Sequence, residues 1–196
     1  MYRTILADPP WKYEVPPKRQ DSRKGRKPRE GETMYPPYPM MELQEIKDLP
    51  IPDLAERDCH LWLWSTNRYL PDSFDLLKHW GFKFFHLVTW VKPSGFGMWF
   101  VHRTQPLLFA YRGKMQLAKR CNPDVIFDTA KRHSEKPSSA YDLIEGASHK
   151  NYLELFARSQ RQGWDVFGNE VEGSIRLLTQ RAADGGNAAP EFSNFE

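Results

Sequence analysis

Cysteine is scarce here: Cys59 and Cys121 are the only two in 196 residues. Their spacing suits neither zinc nor a redox pair, so they read as packed or idle thiols in a reducing compartment. The six histidines show no metal-ligand spacing, so no metal is expected. No apolar run reaches the roughly 18 residues of a membrane helix. Met1-Tyr2-Arg3 leads directly into a strand pattern, which predicts no signal peptide. The fingerprint G-x-G-x-x-G and the Walker phosphate loop are both missing. Gly95-Phe96-Gly97 alone points to nothing.

What is present is unevenly placed. The net charge is +3. Between residues 18 and 29 stand seven basic residues, Lys18, Arg19, Arg23, Lys24, Arg26, Lys27 and Arg29, against the single acid Asp21. That segment lies in a Pro-rich loop, residues 12–39, without hydrophobic periodicity. Long loops of this kind are functional or disordered. A basic one suits phosphate contacts, and a loop disordered alone and ordered on nucleic acid satisfies both readings.

Just before that loop, the apolar run Thr4 to Ala7 ends on Asp8-Pro9-Pro10-Trp11. The run reads as a short buried strand, stopped by prolines that cannot donate to a ladder. Each proline also drives the preceding residue out of the helical region. Asp8 therefore belongs at the carboxyl end of a strand, on a stiff turn, where open α/β sheets bind ligands. Such a turn suits the exocyclic amine of a nucleobase, a poor nucleophile because its lone pair is delocalised into the ring. The Asp8 carboxylate and the Pro9 carbonyl are acceptors for its hydrogens. The Trp11 ring is a flat face for a base, worth roughly 1–3 kcal/mol per base.

Downstream, the pattern predicts a helix over 40–49, a strand over 59–64 and a helix over 71–80. Strands follow over 84–91, closed by Lys92-Pro93-Ser94-Gly95, then over 107–111 and 124–127. A helix over 137–147 precedes strands over 152–156 and 164–167. Alternating strands and helices argue for an α/β sheet covered on both faces. No linker or repeat divides the chain. A single domain is expected over 1–180, with a disordered tail over 181–196.

A second constellation lies far from the first in sequence. Lys136 precedes a helix start and suits a carboxylate. Arg158 ends an apolar strand, and Asn169 and Glu170 follow another strand end and suit a ribose diol. Each also fits a plain structural role: Lys136 on the surface, Arg158 paired with Glu154, Asn169 in a turn.

Asp8-Pro9-Pro10-Trp11 resembles the Asp-Pro-Pro-Trp motif of the MT-A70 family of S-adenosylmethionine-dependent adenine-N6 methyltransferases. The likeness covers roughly residues 2–178. It includes Tyr38-Pro39-Met40, Leu61-Trp62-Leu63-Trp64, Trp80-Gly81-Phe82, Thr89-Trp90-Val91-Lys92-Pro93 and Arg112-Gly113-Lys114. It continues through Ser134-Glu135-Lys136-Pro137, Leu153-Glu154-Leu155-Phe156-Ala157-Arg158 and Gly168-Asn169-Glu170. The resemblance implies a circularly permuted class I methyltransferase, a Rossmann-like three-layer sandwich around a mostly parallel seven-strand sheet. It implies that Asp8, Pro9, Pro10 and Trp11 form the catalytic turn. Asp8, Lys136, Arg158, Asn169 and Glu170 would hold S-adenosyl-L-methionine, Lys136 at the methionine carboxylate and the last three at the ribose. Thr104-Gln105-Pro106 departs from the family's usual Thr-Glu at that point.

The activity so implied is methyl transfer to adenine N6 in nucleic acid, DNA favoured over RNA, with the basic 18–29 segment gripping the strand. RNA adenine, cytosine N4, or an inactive nucleic-acid-binding scaffold are the other readings. The short chain suggests a small bacterial or phage-type cytoplasmic enzyme, with a monomer compatible, no metal and no membrane.

Overall fold

The computed structural model describes residues 1–12, 40–96, 99–114, 116–129 and 136–173. The basic 18–29 segment and the 181–196 tail lie outside the described residues. The elements are β1 (Tyr2–Ala7), α1 (Leu43–Lys47), α2 (Ile51–Leu54), β2 (Ala55–Trp64), α3 (Leu70–His79), β3 (Lys83–Phe96), β4 (His102–Arg112), β5 (Val125–Phe127), α4 (Ser138–Ala147), β6 (Tyr152–Leu155) and β7 (Trp164–Phe167).

The seven strands form one sheet in the order β5-β3-β4-β2-β1-β6-β7. β4 runs antiparallel to both neighbours. The other pairings are parallel. Period-2 alternation sorts side chains onto two faces. Ile5, Ala7, Leu61, Leu63, Leu108 and Leu153 meet Ile46, Ile51, Leu76 and Leu77 of the first three helices. Leu6, Trp62, Trp64, Leu107 and Phe109 meet Ala140, Leu143, Ile144 and Ala147 of α4. The result is the expected three-layer α/β sandwich. Ile5, Leu61, Leu63 and Leu107 are fully buried, each such side chain contributing about 1.5–3 kcal/mol of transfer energy.

Two sequence expectations need correction. The helix expected over 40–49 is shorter, ending at Lys47, and a second short helix starts at Ile51. Pro50 separates them, since a proline cannot continue the first helix. The strand expected to close at Lys92 continues through Pro93 to Phe96, and β4 begins at His102 instead of Leu107. The ladder between them shifts register between Val91 and Phe96, which spans Pro93. An irregular pairing tolerates the missing N–H there. Pro106 is accommodated at the end of β2, where its carbonyl accepts the Ser65 N–H at 3.0 Å.

The connection from β1 leads to β2 on one side, while β6 returns on the other. β1 therefore sits at the topological switch point, where a crevice opens at the strands' carboxyl ends. Register places Ala7 beside Leu63 and Leu155, and Leu155 beside Phe167. Asp8, Phe156 and Gly168 thus leave adjacent strands at one level.

Candidate active site

Asp8 continues the β1–β6 ladder, its N–H donating to the Leu155 carbonyl at 3.4 Å. The two prolines then fold the chain tightly. The Trp11 N–H donates to the Pro9 carbonyl at 2.8 Å, and the Met41 N–H to the Pro10 carbonyl at 2.8 Å. A carbonyl oxygen has two lone pairs, so Pro9 keeps one for a ligand.

Trp11 sits deeper than its expected role requires. It is 4% exposed. Its ring stacks on Tyr69 at 5.0 Å and 18° between planes, and its Nε1 donates to the Trp64 carbonyl at 3.2 Å. It anchors the turn to β2 and α3, and as placed it offers no open face to a base.

The turn and the distant constellation converge. The Lys136 ammonium is ion-paired with the Asp8 carboxylate across 128 positions of sequence. The pair is mostly buried, with 10% of the lysine and 21% of the aspartate side chain exposed. Lys136 also lies 5.4 Å from the centre of the Trp64 ring. Arg158 Nη1 faces Glu170 Oε1 at 3.5 Å. The expected alternative partner, Glu154, instead accepts the Tyr141 hydroxyl at 2.8 Å. Asn169 and Glu170 lie in the turn after β7, both exposed. That turn closes tightly on its neighbour: a Cβ at Gly168 would stand 2.0 Å from the Ala157 carbonyl oxygen.

Three side chains at the site were not singled out from sequence. Glu154 is a buried acid in the middle of apolar β6, and burial raises its carboxyl to about 7. The Tyr141 hydroxyl is pushed up as well, by burial and then by Glu154. Lys92 lies against Trp90, 4.6 Å from the ring centre. Burial and then the Lys136 charge lower its pKa, while Asp8 opposes that. The only available signals were an acid inside Leu-Glu-Leu and a lysine continuing an aromatic strand.

Lys136, Tyr141 and Glu154 line a cavity of about 200 Å³ with Pro137, Ser138 and Arg161. Ligand sites usually run from about 300 Å³ upward. This cavity therefore suits one end of a ligand, the remainder lying along the open strand ends. Beside it, Trp64 Nε1 is buried without an acceptor among the described residues. A cation, a buried carboxylate and a spare N–H donor fit the zwitterionic end of an amino acid, so the donor set is compatible with S-adenosylmethionine. Cys59 offers no reactive thiol: burial raises its sulfhydryl to about 12.

Comparisons with known proteins bear on the family. The MT-A70 family model matches residues 2–170. The type II methyltransferase M.MunI of a Mycoplasma species is 29% identical over 93% of this chain and 84% of its own. An MT-A70-like N(6)-adenosine-methyltransferase of Arabidopsis thaliana is 27% identical over 91% of this chain, which spans 25% of that protein. The N(6)-adenine-specific methyltransferase METTL4 of Mus musculus is 29% identical over 87% of this chain and 37% of its own. With the family model spanning nearly all of the described sheet and both halves of the site, this chain belongs to the MT-A70 family.

Proposed function

We propose that this protein transfers a methyl group from S-adenosylmethionine to the N6 amine of adenine in nucleic acid, with DNA the favoured substrate. The observation that carries the reading is the meeting of Asp8 with Lys136 at the switch point of the sheet. The type II methyltransferase is matched over 84% of its own length, whereas the plant N(6)-adenosine-methyltransferase is matched over a quarter. That contrast favours DNA.

Bound S-adenosylmethionine would supply an electrophilic sulfonium methyl. Lys136 meets its carboxylate, and an ammonium with three donors can do so while keeping Asp8. Glu154 takes the cofactor's ammonium, and Arg158, Asn169 and Glu170 the ribose. Asp8 and the free lone pair of Pro9 accept the two amine hydrogens and turn the nitrogen lone pair out of the ring plane. Positioning and charge dispersal then lower the barrier. The proton leaves the methylated nitrogen for Asp8 or water.

The test is incubation with labelled cofactor and native DNA, denatured DNA or RNA, followed by nucleoside analysis. N6-methyladenine in DNA is expected. Label confined to RNA, or to cytosine, redirects the substrate assignment. Asp8→Ala is expected to lower transfer by about 10²–10³-fold, the loss typical of removing one preorganised polar group. Its far-UV circular dichroism should stay native, and an unchanged rate rejects the role.

A further inference from the structure

The β3–β4 hairpin extends well past the catalytic edge. β3 runs in the same direction as β1, because β2 is parallel to β1 and β4 is antiparallel to both β2 and β3. Register sets Leu87 level with Leu108, Leu63 and Ala7. The hairpin then continues to the Phe96–His102 pair, up to roughly 30 Å further at the usual rise per residue. β2 ends at Trp64, and β5 pairs only as far as Val91. From Lys92 onward, the arm stands without a further sheet neighbour among the described residues, on the side where Asp8 lies.

The arm has a distinct surface. Trp99 is 90% exposed, Phe100 79% and Val101 61%. Large apolar side chains so open to water mark interaction sites. Between Lys92 and Arg103 there is no aspartate or glutamate, against Lys92, His102 and Arg103. The arm is also held in shape. Arg103 Nε donates to the Lys92 carbonyl at 3.0 Å. A Cβ at Gly95 would stand 2.3 Å from the His102 carbonyl oxygen, so the strands approach closer there than a side chain allows.

Charge decides the occupant. A second copy would set one carboxylate-free arm against another, which like charges disfavour. A polyanion with stackable faces matches both the cations and the rings. We infer that this arm opens duplex DNA: Trp99 and Phe100 enter the base stack beside the target adenine, and His102 and Arg103 take the flanking phosphates. Aromatic wedges at base steps and extrusion of the reacting base are known solutions to reaching a stacked atom. The inference rests on the DNA reading above.

The experiment compares the wild type with the Trp99→Ala/Phe100→Ala double variant on one genomic DNA, native and heat-denatured. The expected result is a tenfold or greater fall in labelled methyl transfer to native DNA. Transfer to denatured DNA should fall less than threefold, and calorimetric cofactor binding should not change. Trp99→Phe should retain most of the duplex rate. Equal losses on both DNAs, or no loss, overturn the inference. So does a wild-type dimer that the double variant dissolves in sedimentation, which assigns the arm to a second copy. A duplex carrying 2-aminopurine separates the two readings: its fluorescence should rise with wild type and not with the variant, even if no methyl is transferred. No rise with wild type rejects the wedge.

Discussion

Glu154 is buried on a strand that otherwise carries apolar side chains, and its carboxyl is raised from 4.5 to about 7 chiefly by that burial. The fold therefore holds its proton more tightly than the unfolded chain does. The associated stability is fully present below about 4.5 and lost as pH rises through about 7. His60 works in the opposite sense. Burial lowers it from 6.5 to about 4, so its contribution is present above 6.5 and lost as pH falls. Because the two offset one another, the readout is a difference between proteins. The melting temperature of Glu154→Gln minus that of wild type should rise between about pH 4.5 and 7 and then level. Cofactor affinity of wild type should strengthen with pH over the same range, by up to about tenfold per unit. Glu154→Gln should flatten that dependence in calorimetry, and an unchanged profile removes Glu154 from the cofactor site.

At the scale of elements, the turns after β6 and β7, which carry Arg158, Asn169 and Glu170, are held together by close backbone approach. The Ala157 N–H donates to the Phe167 carbonyl at 3.0 Å, and Gly168 lies against Ala157 with no room for a side chain. Gly168→Ala should cost about 1–3 kcal/mol, the usual range for forced overpacking, read as a lower denaturant midpoint. It should also weaken cofactor binding, because Asn169 and Glu170 move with the turn. The Trp11 turn behaves similarly: its indole is buried, so the prolines and the ring together fix the direction of Asp8. The strand and helix types of these elements were legible from period-2 and helical patterning. Their ends were less so, because Pro93 lies where β3 has left most of its neighbours and a missing N–H is tolerated.

At the scale of the molecule, positive charge is concentrated in one stretch of the sequence. The 18–29 segment carries a net +6 in a chain of net +3. Replacing its seven basic residues with glutamine should weaken DNA binding and reduce the salt slope by about 0.9 for each phosphate that is no longer neutralised. Binding isotherms across salt concentrations check this, and an identical slope removes the segment from the interface. No helix among the described residues is long and apolar enough to cross a membrane.

The residues from Thr4 to Trp11 fixed their own strand, its end and its stiff turn, because proline geometry and apolar alternation are local properties. Patterning likewise determined a sheet covered on both faces. Which residues meet was decided only by tertiary structure. Strand order brings β6 beside β1, and the crossover through α4 delivers Lys136 to Asp8. The burial of Trp11, the raised carboxyl of Glu154 and the neighbourhood of Lys92 depend on atoms distant in sequence. Desolvation and Coulomb interaction act through space, so local pattern does not carry them.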